Sequence, residues 1–169
     1  MPQKIRTYLE MTDPGELRPG RFAPDVALVP TADHELVRAL QVRVGAPHGW
    51  GSATRGDAEW EQIFAKPLLS FWAVTHWQEP VGVVVFVDQH PEVEIETFGL
   101  VPEVVGRGLG GHALTLAIRQ AWMLRDGVQR IWLHTNTMDH PNALPNYQAR
   151  GFRPYRTELR DTPPTRSEE

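Results

Sequence analysis

Glycines at positions 106, 108, 110 and 111 surround one cation, Arg107, at the junction between a strand-like run (Val93 to Val101) and a helix-like one (Leu114 to Arg125). Such a turn can hold a phosphate. Glycine lets the backbone approach a ligand without Cβ interference, and the free N–H groups and positive dipole end of the following helix favour an anion. Glu94 and Glu96 lie two apart, a strand spacing that predicts both carboxylates on one face, with Phe98 and Leu100 continuing that face. Either carboxylate can take a proton from a substrate; either can also be a solvated sheet edge paired with arginines. His134 and His140 are further candidate bases, though a lone histidine in a strand is more often a hydrogen-bonded structural residue. No histidine and carboxylate set has metal-ligand spacing, so no metal is expected. Ser52, Ser70 and Ser167 lack a Gly-x-Ser-x-Gly elbow, and the absence of cysteine excludes thiolate nucleophiles, disulfides and Cys-based metal sites.

These residues need a scaffold, and 169 residues suffice for one domain that buries about two thirds of its unfolded surface. The formal charge of −4 gives no global reason to bind nucleic acid or acidic lipid, so an anion site must be local. No apolar window approaches the ~18 residues of a membrane span and the N-terminus has no signal-peptide pattern, from which a cytoplasmic address is expected. Strands are predicted at 5–11 and 25–30, separated by a Pro- and Gly-rich loop. A helix capped by Thr31 or Asp33 runs to Val44 with Leu36, Val37 and Leu40 on its inner face, and Gly45 ends it. A loop with His48, Trp50 and Arg55 leads to a short helix at 57–65. Runs at 69–77, 81–88 and 93–101 read as an antiparallel meander. Then come a helix at 108–125 burying Leu109, Ala113, Leu116, Ala117 and Ala121, a strand at 130–135, and a helix from Asn142 to Arg150 stopped by Gly151. A strand at 152–159 closes the pattern. The class is α/β (α+β): a mixed, mostly antiparallel sheet of six or seven strands with helices on both faces. Residues 1–24 are expected as an N-terminal extension, 25–159 as the domain and 160–169 as a disordered tail.

Gly106-x-Gly108-x-x-Gly111 also fits the dinucleotide fingerprint, but antiparallel strands precede it where parallel βαβ units are needed. The Gly-x-x-x-x-Gly-Lys-Ser/Thr phosphate loop is absent. The element order and two motifs resemble the GNAT superfamily of acyl-CoA N-acyltransferases instead. Phe98-Gly99-Leu100-Val101-Pro102 through Val105-Gly106-Arg107-Gly108-Leu109-Gly110 is similar to its signature [QR]-x-x-G-x-[GA] with the preceding strand, Val105 standing where Gln or Arg is usual. Tyr147-Gln148-Ala149-Arg150-Gly151-Phe152 is similar to its Y-x-x-x-G-F ending, and the likeness spans about Val26 to Leu159.

The resemblance implies acetyl-CoA as cofactor, with the pantetheine arm along Phe98, Gly99, Leu100 and Val101 and the diphosphate on Val105, Gly106, Arg107, Gly108, Leu109, Gly110 and Gly111. Asn commonly sits seven residues before the tyrosine. Here His140 does, so contact there falls to it, Asn142 or Asn136. Tyr147 is the implied general acid and Glu94 or Glu96 the base that takes a proton from an ammonium of ordinary pKa near 10. His48, Trp50 and His134 are expected to face the acceptor, the primary amine of a small molecule such as an amino acid or amino metabolite. A homodimer is left open. The other readings are a protein N-terminal acetyltransferase and a non-catalytic acyl-CoA-binding module.

Overall fold

The computed structural model describes residues 3–161; of the tail expected at 160–169, Arg160 and Asp161 instead belong to the last strand and residues 162–169 lie outside the described part. Eleven main elements follow in order: β1 (Gln3–Met11), β2 (Val26–Pro30), α1 (His34–Gly45), α2 (Asp57–Phe64), β3 (Leu69–His76), β4 (Glu79–Gln89), β5 (Glu92–Leu100), α3 (Gly110–Trp122), β6 (Arg130–Asn136), α4 (Ala143–Ala149) and β7 (Arg153–Asp161). The sheet has seven strands in the order β2-β3-β4-β5-β6-β1-β7. Every pair is antiparallel except β5 with β6. The meander arises as its β-branched and aromatic runs predict.

Local chemistry sets the helix ends. Asp33 caps α1, its carboxylate accepting the Leu36 N–H at 3.1 Å. Gly45 ends α1 as expected, with φ −87° inside the last turn, and its missing side chain makes room for Trp50. Gly151 is a true C-cap at φ +108°, where Phe152 N–H reaches back to the Tyr147 carbonyl at 3.1 Å. Pro145 falls in the first turn of α4, where an absent N–H does no harm.

The core lies between the sheet and its helices, with Val37, Leu40 and Val44 of α1 on one side and Ala113, Leu114, Ala117, Ile118 and Ala121 of α3 among its members. The buried stripe of α3 is wider than expected, and Leu116 sits at its margin. Two features differ from the sequence pattern. β1, expected as an extension ahead of the domain, is paired on both edges and sits between β6 and β7, with Leu9 and Met11 fully buried. A bulge in β5 leaves Glu96 unpaired: Phe86 faces Ile95 and Val85 faces Thr97. The bulge shifts the alternation by one. Glu94 therefore shares a face with Thr97 and Gly99, while Phe98 and Leu100 point to the other; the expected run of Glu94, Glu96, Phe98 and Leu100 on one face is corrected by this register.

Candidate active site

The parallel ladder between β5 and β6 contains three residue pairs, Glu92 with Arg130, Val93 with Ile131 and Glu94 with Trp132. Beyond Glu94 the bulge bends β5 away and the strands part. The opening continues into a cleft of about 500 Å³. Phe98, Gly99 and Leu100 form its β5 wall, and Ala143, Asn146 and Tyr147 of α4 the opposite one. The glycine turn closes one end and Val44, His48 and Trp50 the other.

At the glycine end the backbone does the work. Gly106 and Gly108 have φ of +84° and +78°, a conformation that L side chains rarely adopt, and a Cβ at either would meet nothing within 4 Å. Both line the cleft together with Gly110 and Gly111 of the first turn of α3, whose N–H groups have no intrahelical acceptor. Leu109 supplies the N-cap carbonyl through the Ala113 N–H at 2.9 Å, with no capping side chain, and its own side chain is buried in the core. The Val105 and Arg107 amides are engaged within the turn, donating to Pro102 and Val104 carbonyls at 3.3 Å each. Val105 remains a wall of the cleft while Arg107 stays exposed outside it. Val101 is buried and donates to the Val81 carbonyl of β4 at 2.8 Å, so its N–H points away from the free edge of β5.

Tyr147 is buried on α4, its ring 6.5 Å from Phe98 and 6.2 Å from Phe152. Burial, with the charge of Asp139 second, pushes its phenol well above the ordinary range, so it stays protonated at any working pH. Its neighbours His140 and Asn142 also line the cleft, and the His140 Nδ1 accepts the Asn142 N–H at 3.0 Å. Asn136 does not reach it: its Oδ1 accepts the Met138 N–H at 2.9 Å and holds the turn after β6.

On the far face of β5, Glu94 is half-buried. Loss of hydration pushes its carboxyl up to about 7, with the charge of Glu96 adding and Arg6 opposing. Glu96 is raised as well, chiefly by desolvation, with Lys66 and Arg55 pulling the other way. His134 stands on this face too, off the cleft, packed 5.6 Å from Tyr8 and 6.5 Å from Trp132. Desolvation and then Arg6 hold it below the usual imidazole range.

Comparison with known proteins now decides the family. The family model described as "Acetyltransferase (GNAT) family" matches residues 36–152. The chain belongs to the GNAT acetyltransferase family. A search of curated proteins gave no match. Among solved structures, a GCN5-related N-acetyltransferase from Kribbella flavida superposes with a TM-score of 0.63 at 19% identity over 92% of this chain and 56% of that one. One from Sphaerobacter thermophilus gives 0.69 at 16% identity over 93% and 50%. A tandem GNAT protein from the clavulanic acid biosynthesis pathway gives 0.61 at 15% identity over 98% and 55%. At these identities the likeness is one of fold, and the chain spans about half the length of these three neighbours.

Within this GNAT domain, sequence reasoning missed Asp139 and Asn146. Asp139 lines the cleft and gathers three donors: the Trp50 indole N–H at 3.0 Å, the Thr135 hydroxyl at 2.6 Å and the Asn136 N–H at 3.0 Å. Asn146 donates from Nδ2 to the Gly110 carbonyl at 3.3 Å and so ties α4 to the start of α3. Its spacing of four from Asn142 puts both on one helical face, a signal present in the sequence. Asp139 had none, because its partner Trp50 lies far off in the chain. Among the described residues no helix is long and apolar enough to cross a membrane.

Proposed function

We propose that the protein transfers the acetyl group of acetyl-CoA to the primary amine of a small molecule. One observation carries this: the split between β5 and β6 brings an anion cradle and a buried phenol together on one side of a strand whose other face holds a carboxyl with its pKa near 7. The chain's own residues fit an acyl coenzyme, since Gly106 and Gly108 leave open space for it and line one cleft with the start of α3, whose first amides have no intrahelical acceptor. When bound, the coenzyme supplies an acyl carbon already activated as a thioester.

The α3 amides and Gly108 would hold the diphosphate, while the unpaired edge of β5 from Phe98 to Leu100 offers backbone groups to the arm. A backbone N–H on that edge, aimed at the thioester oxygen, would stabilise the charge that develops there. Glu94 would accept the proton of the acceptor ammonium. A base near 7 lies closer to an amine of pKa near 10 than an ordinary carboxylate does, which makes the transfer less uphill. Burial chiefly keeps the proton affinity of Glu94 high, and the charge of Glu96 in the bulge adds to it. Tyr147, protonated at Oη, would donate that proton to sulfur as the thiol leaves and recover one from the nitrogen, which sheds its second proton as the amide forms. His48 and Trp50 at the end of the cleft suit an acceptor with an apolar or planar body.

The test is a thiol-release screen of diverse amines with acetyl-CoA beside a thermal-shift titration with CoA. Stabilisation by CoA with turnover of small amines, and none with peptide N-termini, is expected. CoA stabilisation with no active amine would leave a binding module; no stabilisation would remove the coenzyme altogether.

A further inference from the structure

Trp50 is fastened from three directions. Its backbone N–H donates to the Gly45 carbonyl at 3.2 Å, and its ring lies where a Gly45 side chain would be, 2.6 Å from an added Cβ. On a second side an added Cβ at Gly99 would meet the indole Cη2 at 3.5 Å and run into Val44 Cγ1, so Val44 and Trp50 together cover β5 at Gly99, on the face opposite Phe98 and Leu100. On the third side the indole N–H is bonded to Asp139, across the cleft on the β6 to α4 loop, and Asp139 is itself fixed by Thr135 and Asn136. The ring therefore spans the cleft from the end of α1 to the end of β6.

The position of this crossbar matters. With the diphosphate at the α3 end and the arm along β5, the group on the sulfur would lie in the same cleft that Val44 and Trp50 line. On this reading a two-carbon group would end short of the indole. A longer chain must push the ring aside, which separates the indole N–H from Asp139 and leaves both a donor and a carboxylate oxygen without partners in a confined site. We propose that Trp50, held in place by Asp139, limits the acyl chain this protein accepts to the shortest members; the proposal rests on the acyl-coenzyme reading above. It names acetyl, or at most propionyl, esters as the donor class and makes the Trp50–Asp139 bond the element that sets the limit.

Calorimetric titration with CoA, acetyl-CoA, butyryl-CoA and hexanoyl-CoA tests this without needing an acceptor. The wild-type protein should bind hexanoyl-CoA at least ~10-fold more weakly than acetyl-CoA, the discrimination that one or two misplaced methylenes can generate. Trp50→Ala should bring that ratio to within about 3-fold or invert it, each protein serving as its own reference through the ratio. Asp139→Ala keeps the ring and frees it, so it should fall between the two; it decides the matter if Trp50→Ala does not fold. A wild-type ratio near one, or a ratio unmoved by both variants, overturns the proposal while CoA binding keeps the coenzyme reading. Failure of CoA itself to bind overturns both.

Discussion

The two ends of the cleft are built from different materials. At the α3 end the features are backbone ones, Gly106 and Gly108 at positive φ and the unpaired amides of a helix start. At the other end every surface is a side chain placed by another residue: Trp50 by Gly45 and Asp139, Asp139 by Thr135 and Asn136. A backbone cradle recognises a diphosphate whatever is joined to it. A side-chain end recognises shape and is rewritten by one substitution. On this account coenzyme affinity resides at the first end and selectivity at the second, with Glu94 and Tyr147, the proposed proton-transfer groups, on opposite faces between them.

The largest expected effect breaks the cradle. Gly108→Val forces a β-branched residue into φ +78° and fills the space a phosphate would use, so CoA affinity should fall on the order of 10²-fold by calorimetry. Gly127→Val is the control, since Gly127 has a similar φ of +76° outside the cleft. Both variants should lose roughly 1–3 kcal/mol of stability from backbone strain, and only the first should lose CoA. Equal loss of CoA in both would mean that the cradle depends on overall stability rather than on local amides.

Glu94→Gln comes next. It should lower kcat/KM by about 10²-fold and abolish the rise in rate as pH climbs through about 7, since the base acts only when ionised. Stability should move the opposite way. A folded-state carboxyl raised to about 7 contributes stability that is fully present below its usual 4.5 and is lost as pH rises through 7. Glu94→Gln should therefore raise Tm by about 2–4 °C at pH 8 and not at pH 4. Glu96→Gln removes a neighbouring negative charge and should shift the rate limb to lower pH. Should Glu96→Gln abolish the limb while Glu94→Gln leaves it, the two residues exchange roles.

The same contrast explains what the sequence made legible. The strand meander, the helix starts at Asp33 and Asn142, the Gly151 cap and the glycine turn depend on neighbours within a few residues, and the structure holds each where the local pattern puts it. The place of β1 depends on pairing Tyr8 with His134 and Arg156, more than a hundred residues away, and nothing near Tyr8 encodes that. The bulge at Glu96 was hidden for a related reason. Alternation through Glu94, Glu96, Phe98 and Leu100 is regular in the sequence, and only the register against β4 shows the extra residue. The backbone-built end was thus readable by motif, while Asp139 and Trp50 needed the fold to meet.

Tyr147→Phe probes the middle of the cleft. Burial keeps the phenol protonated, so its loss should act on turnover rather than binding: at least ~10-fold in kcat with a modest change in coenzyme affinity. An equal loss of affinity and no loss of kcat would make Tyr147 a wall beside Phe98 and nothing more.

The smallest effect is expected at His134, the one histidine expected to face the acceptor that the structure places off the cleft. It packs with Tyr8 and Trp132, and desolvation followed by Arg6 holds its pKa below the usual range, so it is neutral at pH 7. His134→Gln should leave CoA affinity and the rate limb near 7 in place and change the KM of the amine by at most about 3-fold. A lost limb would move the base from the bulge of β5 to β6. Because His134 lies on the same face as Glu94 and is packed against β1, that outcome would make the inserted N-terminal strand, rather than the split between β5 and β6, the support on which proton transfer depends.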